Sequence, residues 1–207
     1  MSRRRSGGYE EGYERSSCLW GGEPGSLVRR LAATTQLAGS AVLDLGAGEG
    51  KNAHFLASQG AKVTAVELSE AAISNGRKRF GESPNVTWIH SDVGGFAVQD
   101  ASFNIVVCYG LLHCLSSSGE IASEVERYQR GTTVGGWHVV CAFNSRFQDL
   151  SAHPGFNPTL LSHEDYLDLY LDWEVIFTSD QDLHEVHPHN GIAHTHSMTR
   201  ILARRAD

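Results

Sequence analysis

Five short apolar runs punctuate the first two thirds of the chain: Ala41–Leu45, Lys62–Val66, Val86–Ile89, Phe103–Tyr109 and Trp137–Phe143. They are rich in β-branched and aromatic residues and bounded by turn formers, the pattern of strands buried on both faces. Helical periodicity fills the intervals, over Asn52–Ser58, Glu70–Phe80 and Gly119–Arg130, where Ile121, Val125 and Tyr128 recur on one face. Strand and helix alternating at this spacing predict a mostly parallel sheet with helices on both faces. After Phe143 the rhythm changes. A Pro/Asn-containing loop, 145–158, leads to a helix near His163–Leu171. Two extended runs follow, Trp173–Asp180 and Ile192–Ala203, and their adjacency predicts an antiparallel C-terminal hairpin. The expected total is seven strands in an α/β domain. Before it lie a basic tip, residues 1–8, and an arm with a short helical pattern at Leu27, Val28 and Leu31. This divides the chain into an arm or lid over 1–30 and one domain over 31–207.

Composition narrows the class of function. The 207 residues suit one domain whose core needs no disulfide or metal to hold it together. Lys and Arg total 17 against 24 Asp and Glu, a net charge of −7, which argues against binding nucleic acid through its phosphates. No apolar run approaches the ~18 residues of a membrane span. Cys18, Cys108, Cys114 and Cys141 form no CxxC pair, and the basic N-terminus has no apolar segment behind it, so a cytoplasmic, reducing setting is expected. Histidine is the unusual count. There are 11, and His184, His187, His189, His194 and His196 fall within thirteen residues.

The most informative stretch is Val42-Leu-Asp-Leu-Gly-Ala-Gly-Glu-Gly-Lys-Asn52. Glycines 46, 48 and 50 follow a strand and precede a helix, where open α/β sheets bind ligands. A dinucleotide fingerprint, GxGxxG, would need glycine at position 51, which is Lys51. Asp44 stands two residues before the first glycine and is suited to an ammonium group. Glu67, at the end of the second strand, is placed for both hydroxyls of a ribose. Asp92, at the end of the third, is placed for the exocyclic amine of adenine. Ammonium, ribose and adenine without phosphate describe S-adenosylmethionine. The alternative is that each acid only caps the helix that follows it.

These residues resemble a known superfamily. Leu43-Asp-Leu-Gly-Ala-Gly-Glu-Gly50 resembles the first motif of class I S-adenosylmethionine-dependent methyltransferases, Val66-Glu-Leu-Ser69 their acidic second strand, and Ser91-Asp-Val93 their adenine-contacting motif. Gly50-Lys-Asn-Ala53, Leu19-Trp-Gly-Gly-Glu-Pro24 and Tyr109-Gly-Leu-Leu-His-Cys-Leu115 are similar to its small-molecule branch, which includes the tellurite-resistance and thiopurine enzymes. The resemblance covers about residues 9–205. It implies a Rossmann-like sheet and a cofactor site of Asp44, Gly46, Ala47, Gly48, Asn52, Glu67, Leu68, Asp92, Val93 and Tyr109. It further implies a lid role for the arm, with Tyr13 and Trp20 against the acceptor. At Leu183-His184 the similarity to the tellurite-resistance branch ends, because Glu185 stands where arginine is found there.

The expected chemistry is methyl transfer to a small molecule through O, S, N or a metalloid. Positioning dominates such a reaction, with a base near neutrality for a hydroxyl or thiol. His113 and Tyr109, past the fourth strand, and His184 are the candidates for catalysis or acceptor orientation. Arg146, after the fifth strand, borders the expected acceptor pocket. The C-terminal histidines admit three readings. His194 and His196 share one strand face and could line the acceptor pocket. His187, His189, His194 and His196 could hold a metal with Asp182 or Glu185. Or the segment is a solvated hairpin. Two other functions stay open: a cyclase or isomerase that uses the sulfonium only as a charge, and a metal- or ligand-sensing module.

Overall fold

The computed structural model describes residues 9–187 and 190–206. The expected basic tip and His189 lie outside the described residues. The chain begins with α1 (Glu10–Arg15) and α2 (Ser26–Thr34), then alternates β1 (Ala41–Leu45), α3 (Lys51–Ser58), β2 (Lys62–Glu67), α4 (Glu70–Phe80) and β3 (Val86–His90). It continues through β4 (Phe103–Tyr109), α5 (Ser118–Gly131), β5 (Thr132–Gln148), α6 (His163–Asp168), β6 (Trp173–Val186) and β7 (Ala193–Arg205). One sheet holds all seven strands in the order β3-β2-β1-β4-β5-β7-β6. Pairing is parallel from β3 to β5, and β7 runs antiparallel to both β5 and β6. The expected seven-stranded, mostly parallel sheet with a C-terminal hairpin is the observed one.

Both faces of the sheet are buried because successive strand residues point to opposite sides. Val42 packs in one layer with Leu27, Val28 and Leu31 of α2 and Leu56 of α3. Its neighbour Leu43 packs in the other layer with Ile121, Val125 and Tyr128 of α5 and Tyr166 of α6. The arm joins a third cluster, in which Tyr13 and Leu19 meet Ala72 of α4. The pattern at the arm did not indicate α1, which has only six residues, too few to show helical periodicity. Two strands outrun their apolar runs. β5 spans 17 residues and bulges between its pairings at Phe103 and Ile105 of β4. β6 extends to Val186 and brings His184, the first histidine of the cluster, into the sheet. No helix among the described residues is long and apolar enough to cross a membrane.

Candidate active site

The loop after β1 turns into α3 by three left-handed residues, Gly46 (φ 65°), Gly48 (φ 56°) and Gly50 (φ 77°). A side chain is strained at such φ, and at Gly48 a Cβ would also lie 2.9 Å from the Tyr13 hydroxyl oxygen. Gly46 and Gly48 therefore present only backbone to the cavity. Glu67 braces the loop from β2. Its Oε2 accepts the Gly48 N–H at 2.7 Å and its Oε1 the Ser69 N–H at 2.8 Å. Burial raises the Glu67 pKa, against the lowering by these backbone bonds. Ser69 caps α4, its hydroxyl accepting the Ala72 N–H. Asp92 caps the turn Val93–Gly95 through a 2.9 Å bond from the Gly94 N–H. It does so while lining the cavity, so the capping and ligand-binding readings of this acid are compatible.

Asp44 is a correction. It does not line the cavity but sits one layer behind the loop, 1% exposed. One carboxylate oxygen takes the Ala53 N–H, and Oδ2 has no partner among the described residues. Burial, with the nearby Glu67 charge, pushes its pKa up to about 7. Its residue type announced an acid at the loop, but the depth of that acid depends on how the loop folds over it.

The cavity at these strand ends has a volume of about 830 Å³, within the ~300–1,000 Å³ typical of small-molecule sites. Gly46, Ala47, Gly48, Asn52, Glu67, Leu68, Asp92, Val93 and Tyr109 all line it, as expected. The glycine loop, the paired acids and the orphaned carboxylate oxygen behind it fit a cationic, ribose-bearing ligand without phosphate. The arm closes one side. Tyr13 and Trp20 line the cavity, and the Trp20 indole N–H donates to the Tyr13 hydroxyl at 2.9 Å. Three contacts that the sequence did not suggest hold the arm down. Glu49 Oε2 accepts the Leu19 N–H at 2.8 Å, Lys51 Nζ donates to the Trp20 carbonyl at 2.7 Å, and Asn75 donates to the Tyr13 and Ser16 carbonyls. Their only sequence signal is position, in and just after the glycine loop or on the helix behind it.

The opposite wall comes from β4, β5 and β6. His113 is 2% exposed, lines the cavity and stacks on Phe143 with ring centroids 4.0 Å apart. Its Nδ1 accepts the Phe143 N–H at 3.2 Å, so the neutral ring carries its proton on Nε2. Burial pushes its pKa down to about 3. As a base near neutrality His113 is therefore corrected: it presents a donor, not an acceptor. Tyr109 is pushed up to about 12, chiefly by burial, and is a neutral phenol. Cys141, Phe143, Leu183, Glu185, His187 and Met198 complete this end.

Two further expectations fail on strand parity. Side chains alternate along β6, so Leu183 and Glu185 face the cavity while His184 does not; Val186 and His187, at and just beyond the strand's end, both line it. His184 is exposed, with Nδ1 2.8 Å from the Thr195 hydroxyl. Arg146 is likewise on the outer face, bonded to Asp180 at 3.0 Å and Asp182 at 2.7 Å. Neither touches the cavity. His194 and His196 do share one face, but they do not line the cavity either. They sit behind Glu185 and His187, with His153 from the loop after β5. His153, an isolated histidine in an irregular loop, carries no periodic signal in the sequence.

A family model described as a methyltransferase domain matches residues 42–133. Demethylmenaquinone methyltransferase of Clavibacter sepedonicus is 31% identical over 119 residues, 57% of this chain and 47% of that protein. The chain thus spans about half the length of such relatives. A probable thiol methyltransferase of Arabidopsis thaliana is 24% identical over 195 residues, covering 93% of this chain and 84% of that one. Among solved structures, TehB from Haemophilus influenzae superposes with a TM-score of 0.69 at 22% identity, over 86% of this chain and 61% of that one, a likeness of fold. In its strand order, its glycine-loop geometry and the match over residues 42–133, the chain is similar to methyltransferase domains of this fold.

Proposed function

We propose that this protein binds S-adenosylmethionine at the glycine-loop end of its cavity and transfers the methyl group to a small molecule held at the other end. The observation that carries the reading is a single cavity with two unlike ends: backbone and acids at one, aromatic rings, thiols and imidazoles at the other. When bound, the cofactor supplies a methyl group already activated by the sulfonium, so the protein's task is positioning and exclusion of water. Glu67 keeps lone pairs beyond those given to backbone N–H groups, and these hold the ribose, while Asp92 lines the cavity where the base lies. The N-terminal arm, expected over residues 1–30, acts as the lid through Tyr13 and Trp20. His113 orients the acceptor by donating from Nε2, and Tyr109 does so as a neutral phenol. An acceptor thiol or hydroxyl loses its proton elsewhere than to His113. The setting is cytoplasmic, consistent with four free cysteines.

The test is calorimetry with S-adenosylmethionine, S-adenosylhomocysteine and NADH, followed by incubation of labelled cofactor with panels of thiols, phenols and amines. Binding of the first two ligands and release of S-adenosylhomocysteine are expected. Preference for NADH would overturn the cofactor assignment. Substrate turnover without S-adenosylhomocysteine would replace methyl transfer with cyclase or isomerase chemistry.

A further inference from the structure

We propose that His153, Glu185, His194 and His196 form a binding site for one divalent first-row transition-metal ion, set in the wall behind the acceptor end of the cavity. One donor atom from each of the four lies within 4.8 Å of all the others. His153 Nε2 is 3.2 Å from Nε2 of His194, of His196 and of His187. Glu185 Oε1 is 3.5 Å from His194 Nε2 and 3.7 Å from His196 Nε2. The three imidazoles of the set are buried, at 8%, 4% and 0% exposure. The four ligands come from separate segments: His153 from a loop, Glu185 from β6, and His194 and His196 from β7, where His194 opposes Glu185 and His196 opposes Leu183.

Two of the tautomers are fixed. His194 Nδ1 lies 2.8 Å from the Ile192 carbonyl oxygen, which can only accept, so the ring proton is on Nδ1. His196 Nδ1 lies 2.7 Å from Gln148 Oε1. That amide cannot be flipped, because its nitrogen donates to the Asn144 and Ser197 carbonyls at 2.8 and 2.9 Å. Both rings therefore aim an Nε2 lone pair at His153 Nε2. Imidazole nitrogens and a carboxylate oxygen from three segments thus converge on one point. A cation there takes a lone pair from each ligand.

The dimensions agree. A tetrahedral ion with bonds of 2.0–2.1 Å to imidazole nitrogen has ligand-to-ligand edges of about 3.3 Å. Carbonyl and amide oxygens behind Nδ1 are the usual supports that orient metal-bound histidines. Imidazoles with one carboxylate favour zinc, iron or nickel over magnesium or calcium. Glu185 and His187 belong to the cavity wall as well, so the ion is reached from the acceptor end. Use of the ion to hold an anionic oxygen or sulfur of the acceptor rests on the proposed methyl transfer; binding of the ion does not.

The test uses the full chain without a polyhistidine tag, stripped with a chelator and titrated separately with Zn(II), anaerobic Fe(II), Co(II) and Mg(II). Calorimetry with S-adenosylmethionine runs in parallel, so that loss of metal binding and loss of cofactor binding are read apart. About one Zn(II) per chain is expected, with visible Co(II) absorption of nitrogen and oxygen ligation and no Mg(II) uptake. The His194→Gln/His196→Gln double variant should lose at least about 100-fold in Zn(II) affinity, and Gln148→Ala about 10–100-fold. His184→Gln, on the outer face, should bind as the natural chain does. The proposal is overturned by Zn(II) below about 0.1 per chain in the natural sequence. It is equally overturned by a Co(II) spectrum of sulfur ligation, or by unchanged affinity in the folded double variant.

Discussion

Gly76→Ala separates packing at the glycine loop from ordinary helix preference, because the two demand opposite signs. Gly76 is in the middle of α4. In a free helix, alanine would be favoured there by up to about 1 kcal/mol. Here the added Cβ would lie 2.5 Å from the Glu49 carbonyl oxygen and 3.0 Å from its carbon, with Trp88 Cζ2 at 3.1 Å. To reach ordinary contact, α4 and the loop must part by about 0.9 Å, and overpacking of this kind costs about 1–3 kcal/mol. Because the 2.5 Å contact is with backbone, the upper part of that range applies, about 2–3 kcal/mol against about 1 of helix preference, a net loss of about 1–2 kcal/mol and a fall in Tm of about 2–8 °C for a chain of this size. Because Glu49 also holds the Leu19 N–H, S-adenosylhomocysteine binding should weaken about tenfold, or about 1.4 kcal/mol. Gly119→Ala in α5 is the internal control. A Cβ there meets only the Ser117 hydroxyl at 3.9 Å, so stability should rise by about 0.4–1 kcal/mol. Scanning calorimetry and titration calorimetry measure both. A Tm for Gly76→Ala equal to or above that of the natural chain would refute the contact between helix and loop.

Other expectations follow from single contacts. Glu67→Gln turns one of two acceptor oxygens into a donor facing a backbone N–H; the buried mismatch should cost about 1–3 kcal/mol, and S-adenosylmethionine affinity should fall about 10–100-fold by calorimetry. Equal affinity would remove Glu67 from the ligand site. His184→Ala and Arg146→Ala should each leave KM and kcat within about twofold, as both side chains point away from the cavity; a tenfold loss would put the acceptor on the outer face. His138, buried between Thr132 and Tyr170, is pushed down to about 3 from 6.5, chiefly by burial. The unfolded chain takes up this proton near pH 6.5 and the folded chain only near 3. The stability that His138 contributes is therefore complete above pH 6.5 and is lost as pH falls toward 3. In His138→Gln, urea unfolding between pH 4 and 6 should lose about 1.4 kcal/mol per pH unit from its slope. An unchanged slope would show that His138 is charged in the fold.

The two ends of the cavity differ in how much of them the sequence discloses, and the reason is the range of the interactions. At the glycine-loop end the constraints are local. Left-handed backbone at 46, 48 and 50 admits few residues but glycine, and Glu67 sits where β2 must end beside that loop. Such demands are written in residue type and short spacing. Depth is less local, which is why Asp44 was legible as an acid at the loop and not as one buried beneath it.

At the acceptor end every choice depends on register between distant segments. The residue types at 183–187 do not say where β6 stops. Only its extension to Val186, paired with Ala193, assigns Glu185 to the cavity and His184 to the surface. A slip of one residue would exchange them. The pairing of His194 and His196 on one face follows from their spacing alone. What that face meets is decided by His153, which reaches the pair across 41 and 43 positions of sequence. The fixed Nδ1 proton of His196 depends in turn on Gln148, across 48. A cluster assembled from single residues at such separations leaves no spacing to recognise. Its chemistry appears only when donor atoms are located in three dimensions, and their convergence beside His153 is what the proposed ion rests on.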